Sequence, residues 1–70
     1  MKEEIQKGWE IYHSTQNLLL ISNEVLLAML AELEAALPYL QSRGDKFYLA
    51  LVETYKDHNT LLDLQRERGI

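Results

Sequence analysis

The stretch that decides the fold is residues 18–40, LLLISNEVLLAMLAELEAALPYL. Apart from Pro38, only Ser22, Asn23, Glu24, Glu32 and Glu34 interrupt its apolar side chains. Leu19, Leu26, Leu33 and Leu40 recur every seven residues, with Leu30 and Leu37 four positions after Leu26 and Leu33. Apolar residues at that spacing form the seam of a helix that lies along another helix. At about 100° per residue, Leu18 and Val25 fall on one shoulder of the seam and Leu20 and Leu27 on the other. One partner helix covers one seam, so a shoulder is left over. This surplus of apolar surface is the chief functional clue in the chain.

Towards the C-terminus, Pro38 removes one backbone hydrogen bond and crowds the carbonyl of Glu34. Leu40 stays in phase with the stripe, so the pattern predicts a helix over 16–43, kinked near Pro38. Gly44 suits a left-handed cap, with Arg43 in the last turn. Asp45 is a suitable N-cap for a second helix over 45–68, with Phe47, Tyr48, Leu51, Val52, Tyr55, His58 and Leu62 on its inner face. Gln65 to Arg68 form a charged last turn, and Gly69 ends it. A connection this short makes the two long helices antiparallel neighbours.

Towards the N-terminus, Ile5, Trp9 and Tyr12 share one helical face, and Gly8 weakens that helix by about 1 kcal/mol relative to Ala. Ser14, Thr15 and Asn17 are cap-type residues that can end one segment and begin the next. Alternatively the helix runs on unbroken: Ile5, Tyr12 and Leu19 continue one stripe, with Gln16 and Asn23 at the alternate seam positions. The preferred reading is an arm over 1–15, fully ordered only when something covers Trp9 and Tyr12. The expected architecture is all-α, an antiparallel helical hairpin with an N-terminal helical arm.

A chain of 70 residues makes one small domain, and chains of that size bury only about 60% of their unfolded surface. With no cysteine there is no disulfide staple, so association with another chain is the remaining support. A net charge of −4, from 11 acids against 7 bases, speaks against a phosphate-driven nucleic-acid binder. Arg66 and Arg68 read as complements to a helix C-terminus. Met1 to Ile5 lack the apolar run of a secretory leader. The longest apolar run, Val25 to Ala31, is closed by Glu24 and Glu32, short of the roughly 18–20 residues of a membrane span. The expectation is a cytoplasmic protein without membrane insertion.

Catalytic groups are few. Glu10 and His13 have the Glu-x-x-His spacing of di-iron bundles, which need two such motifs and two further Glu residues. His58 reads first as a core-edge histidine bonded across the helix pair, and second as a pH switch. Glu53 and Asp57 read as a solvated outer face beside Lys46 and Lys56. Ser14 and Thr15 lack a base-and-acid set. No enzyme activity, metal or cofactor is expected. Trp9 and Tyr12 suit interface anchors, whereas Tyr48 and Tyr55 fit the core of the helix pair.

The segment from Leu33 to Leu64 resembles the small co-chaperones of type III secretion needle subunits. The features that carry the likeness are the leucine-rich first helix (Leu26, Leu30, Leu33, Leu37), the turn at Arg43 and Gly44, and a second helix entered through Tyr48. The length and the acidic, cysteine-free composition add to it, while Pro38 and the Trp9 arm have no counterpart. The resemblance implies a cytoplasmic helical hairpin that works with a larger helical-repeat chaperone to hold a needle subunit unpolymerised. Helix geometry then makes Leu18, Leu20, Val25, Leu27 and Met29, with Trp9 and Tyr12, the expected partner-binding surface. The rival expectations are a homodimeric four-helix bundle, a small phage or plasmid regulator that binds a host protein, and a metal bundle doubling Glu10 and His13.

Overall fold

Ser22, one of the polar residues inside the leucine stretch, starts a helix rather than sitting within one. Its backbone is extended (φ −70°, ψ 162°) and its Oγ accepts the Val25 amide at 3.2 Å, the geometry of an N-cap. In the computed structural model, which describes residues 1–14 and 17–70, helix α2 therefore spans Asn23–Ser42 and passes through Pro38. This corrects the helix expected over 16–43. Leu18–Leu20 form a single 3-10 turn instead, opened by Asn17, whose Oδ1 accepts the Leu19 amide at 3.0 Å. Short polar side chains bond their own backbone, so a Ser-Asn-Glu run favours a helix start over a helix interior. Thr15 and Gln16, given cap and seam roles above, lie outside the described residues.

At the other end Gly44 takes φ 61°, a left-handed conformation that suits glycine. Asp45 does not cap the following helix: Gly44–Phe47 form a second 3-10 turn, and helix α3 spans Tyr48–Arg68 with no side-chain cap. Gly69, at φ 71°, closes α3. Its amide bonds the Arg66 carbonyl at 3.1 Å and the Ile70 amide bonds the Gln65 carbonyl at 3.3 Å, the paired bonds of a Schellman ending.

Helix α1, Lys2–His13, reaches α2 through Gly8, which is buried. A Cβ at Gly8 would lie 2.7 Å from Val25 Cγ1 and 2.8 Å from Met29 Sδ. The missing side chain thus lets the two helices approach. Ile21, Val25, Leu26, Met29, Leu30 and Leu33 meet Leu61 and Leu64 in one core, with Leu26, Met29 and Leu61 fully buried. Ile5, Trp9, Ile11, Tyr12, Leu18 and Leu62 pack around it, partly buried. The fold is all-α.

Three polar contacts tie α2 to α3. Gln41 Nε2 donates to the Tyr55 hydroxyl at 2.6 Å, His58 Nε2 lies 3.1 Å from Glu34 Oε2, and Arg68 Nη1 donates to Asn23 Oδ1 at 3.0 Å. The inner face of α3 differs from the expected one. Leu61 and Leu64 carry it, with Leu51, Thr54, Asp57 and His58 half-buried beside them. Tyr48, Val52 and Tyr55 are exposed. Leu61 and Leu64 are one turn apart and set the phase. At about 100° per residue that phase turns Tyr48, Val52 and Tyr55 outward.

By length and composition α2 can cross a membrane, with a mean hydropathy of 1.2 over its best window. That qualifies the expectation drawn from uninterrupted apolar runs, since Glu32 and Glu34 interrupt a helix that is otherwise almost wholly apolar.

Glycine at position 8 has two opposing effects. Ala would gain about 1 kcal/mol of helix propensity, but forcing a methyl between helices costs about 1–3 kcal/mol. We expect Gly8→Ala to lower stability in urea denaturation, and Gly8→Val to lower it further. An increase in the Ala variant would contradict the close approach of α1 and α2.

Candidate partner-binding surface

The sequence-predicted partner residues divide into three groups. Val25 and Met29 are buried beneath Gly8 of α1, so the chain covers that shoulder itself. Trp9, Tyr12 and Leu18 are half-buried against the same core. Leu20 and Leu27 remain exposed, at 63% and 44%. Leu19, expected in the seam, is 74% exposed, because the 3-10 turn takes it out of the phase of α2.

The aromatics of α1 are satisfied within the chain. Trp9 Nε1 donates to Glu32 Oε1 at 2.7 Å, and the Tyr12 hydroxyl donates to Asp57 Oδ1 at 2.8 Å. Trp9 and Tyr12 meet edge to face at 5.8 Å, and His13 stacks on Trp9 at 5.9 Å. Trp9 and Tyr12 are thus covered in part by the chain's own α2 and α3. Asp57, expected on the outer face, is half-buried under Tyr12. Burial and the adjacent Asp57 carboxylate push the Tyr12 hydroxyl above the ordinary tyrosine value of 10.0, although a hydrogen bond with Thr60 opposes the shift. Among the described residues, no group of three His, Cys, Asp or Glu side chains is placed to hold a metal ion.

Arg68 was read as a helix-dipole complement, and its position shows a more specific role. Nη2 donates to the Leu18 carbonyl at 2.9 Å while Nη1 holds Asn23. The last turn of α3 thereby clamps the turn that presents Leu19 and Leu20. Arg68 is half-buried, which fits that role, but no sequence signal ties a C-terminal arginine to a carbonyl 50 residues away.

Beside that turn lies a cavity of about 250 Å³ lined by Gly8, Ile11, Leu20, Ile21 and Val25 with Glu4, Lys7 and Ser22. It is below the roughly 300–1,000 Å³ of small-molecule sites. The larger apolar feature is the outer side of α2. Leu27, Ala31, Ala35 and Pro38 are all exposed and lie about opposite Leu26, Met29 and Leu33 on the helix wheel. Only Glu24 and Glu34 add charge to that side.

No family model, no curated protein and no solved structure matches this chain.

Removing the clamp should loosen the leucine turn first. In Arg68→Ala we expect faster hydrogen exchange of the Leu20 and Ile21 amides and a loss of about 1 kcal/mol, the scale of a partly exposed charged hydrogen bond. Unchanged exchange would remove Arg68 from the turn. For Tyr12, the raised folded value means that its contribution is fully present below pH 10.0 and fades as pH rises through the raised value. Stability measured by denaturation between pH 9 and 11.5 (about one unit below to well above the ordinary value) should fall less steeply in Tyr12→Phe than in the wild type.

Proposed function

We propose that this chain is a non-enzymatic protein–protein interaction module. In this reading α2 and α3 form an antiparallel hairpin, and the outer side of α2 with the leucine turn before it lies in an apolar groove of a larger helical protein. The observation that carries the proposal is the two-sided character of α2. Leu26, Met29, Leu30 and Leu33 are spent on the core, yet Leu27, Ala31, Ala35 and Pro38 leave an apolar strip in water. Small side chains along such a strip let a second helix come close. Support for the hairpin comes from the order of the ties: Asn23 with Arg68, Glu34 with His58 and Gln41 with Tyr55.

The chain also exposes more surface than its mass requires. Its accessible area is 5014 Å² for 8.2 kDa, against about 4,500 Å² for a typical folded chain of that mass. A membrane role for α2 is disfavoured by chemistry. Insertion would strip Leu26 and Met29 from the core and place Glu32 and Glu34, partners of Trp9 and His58, in hydrocarbon, where a charge costs several kcal/mol. The setting that fits is the cytoplasm. The most concrete form of the module is the one its resemblance implies, a co-chaperone that helps a larger helical chaperone hold a type III secretion needle subunit.

The test uses purified protein titrated calorimetrically into a helical-repeat chaperone and needle subunit from the same genome. Leu20→Glu and Leu27→Glu sit on exposed positions, so circular dichroism and melting should stay near wild type. We expect both variants to bind at least tenfold more weakly, because each places a charge in an apolar contact. A wild-type chain that ignores both proteins refutes the co-chaperone form. Variants that bind as well as wild type refute the outer side of α2 as the docking face.

A further inference from the structure

The cavity between α1 and the leucine turn sets apolar walls beside unequal polar groups. One wall is a single face of α1: Glu4, Lys7, Gly8 and Ile11 line it, at the i, i+3, i+4 and i+7 positions that share a helix side. Leu20, Ile21 and Val25 form the other wall. Ile21 and Val25 are buried and Ile11 is half-buried, whereas Leu20 is exposed although it borders the hollow. Glu4 is already engaged, because its Oε2 holds the N-terminal amine at 2.8 Å. That contact is the largest of the influences that hold the Glu4 carboxyl below its ordinary value, and Lys7 is the smallest. Ser22 Oγ is spent on the Val25 amide. Lys7 is exposed and forms no ion pair among the described residues. The cavity therefore joins apolar walls to one uncommitted cation.

We propose that this cavity binds a small apolar monocarboxylic acid, with its hydrocarbon part between Ile11, Leu20 and Val25 and its carboxylate on Lys7. Size and charge together select that class. A cavity of about 150 Å³ holds benzene. By proportion, the 250 Å³ here has room for about ten non-hydrogen atoms, a straight acid of about eight carbons. An amine of that size meets Lys7 as a like charge, and Glu4 is occupied by the N-terminal amine. A neutral molecule of the same shape gains the walls and not the charge. The acid satisfies both, covering Leu20 and supplying the anion that Lys7 lacks.

The site does not rest on the module reading. It shares Leu20 with the docking face, so acid and protein partner compete there, but the acid is tested with no protein partner present. Failure of one reading is thus distinguishable from failure of the other.

The test is an NMR titration of the full chain, followed through its backbone amides, with octanoate as the probe. Octanamide is the neutral control of the same shape, and octylamine carries the opposite charge. Octanoate should shift the amides of Gly8, Ile11 and Ile21 along one saturating curve, with a dissociation constant on the order of 1 mM. Octanamide should bind about threefold more weakly, the scale of an exposed ion pair. Lys7→Gln should bring octanoate down to the level of octanamide and leave octanamide unchanged. Lys7→Glu should make octylamine the tighter ligand. Lys7 is exposed, so both variants should fold, and circular dichroism checks that they do. Octanoate that gives no saturating shift up to about 10 mM overturns the proposal. So does octanamide binding as tightly as octanoate, or a Lys7→Gln or Lys7→Glu chain that still prefers the acid. Shifts as large at Tyr48 and Leu49 also overturn it, since they report adsorption to any exposed apolar face.

Discussion

Much of this molecule follows from one hydrogen bond, the Val25 amide held by Ser22 Oγ. It fixes where α2 starts, and thereby decides the fate of every leucine before it. Had the helix begun at 16, Leu19 would have joined the seam of Leu26 and Leu33. With the cap at Ser22, Ile21 instead turns into the core and Leu19 and Leu20 are left in water. The Asn17 side chain and the Arg68 guanidinium then hold the turn at its two sides. The exposed leucines are thus a consequence of a helix start, and they are held in place by the far end of the chain.

The second constraint is steric. Gly8 lets α1 press onto Val25 and Met29, and that approach brings Trp9 within reach of Glu32 and Tyr12 within reach of Asp57. Each buried or half-buried polar group of the arm finds a partner, which is the condition for placing aromatic side chains on a core edge without a desolvation penalty. Glycine in a helix is usually a local weakness. At this position the weakness of one helix is the fit of two.

The all-α class, the core roles of Leu26, Leu30 and Leu33, and the glycine endings at Gly44 and Gly69 were legible in the sequence, because each rests on local periodicity or on backbone sterics. The start of α2 was legible too, in the run Ser22-Asn23-Glu24, but the heptad spacing of the leucines outweighed it. The inner face of α3 was misjudged for a different reason. Its N-terminal half is apolar nearly all round, so periodicity there offers two phases, and only the contact of Leu61 and Leu64 with α2 chooses between them. Of the expected partner residues, the exposure of Leu20 follows from the turn before α2, and that of Leu27 could be read from helix geometry. Val25 and Met29 could not, since their cover comes from α1, and nothing local to α2 announces a glycine in another helix.

Two helices with two apolar sides each raise a question of supply. A three-helix chain can bury one stripe of each helix against the other two, and here those stripes are complete: the core closes around Leu26, Met29 and Leu61. The exposed apolar side chains of α2 and α3, Leu27, Tyr48, Leu49 and Val52 among them, add little to the stability of the single chain. Their exposure would be selected against as an aggregation hazard if it served no purpose. They also differ in character. The strip on α2 is smooth, small and nearly uncharged, which suits the groove of an unlike partner. The exposed stripe on α3 is bulkier and aromatic, with Tyr48, Leu49, Val52 and Tyr55. A chain too small for a large core thus carries more apolar side chains than its own helices cover.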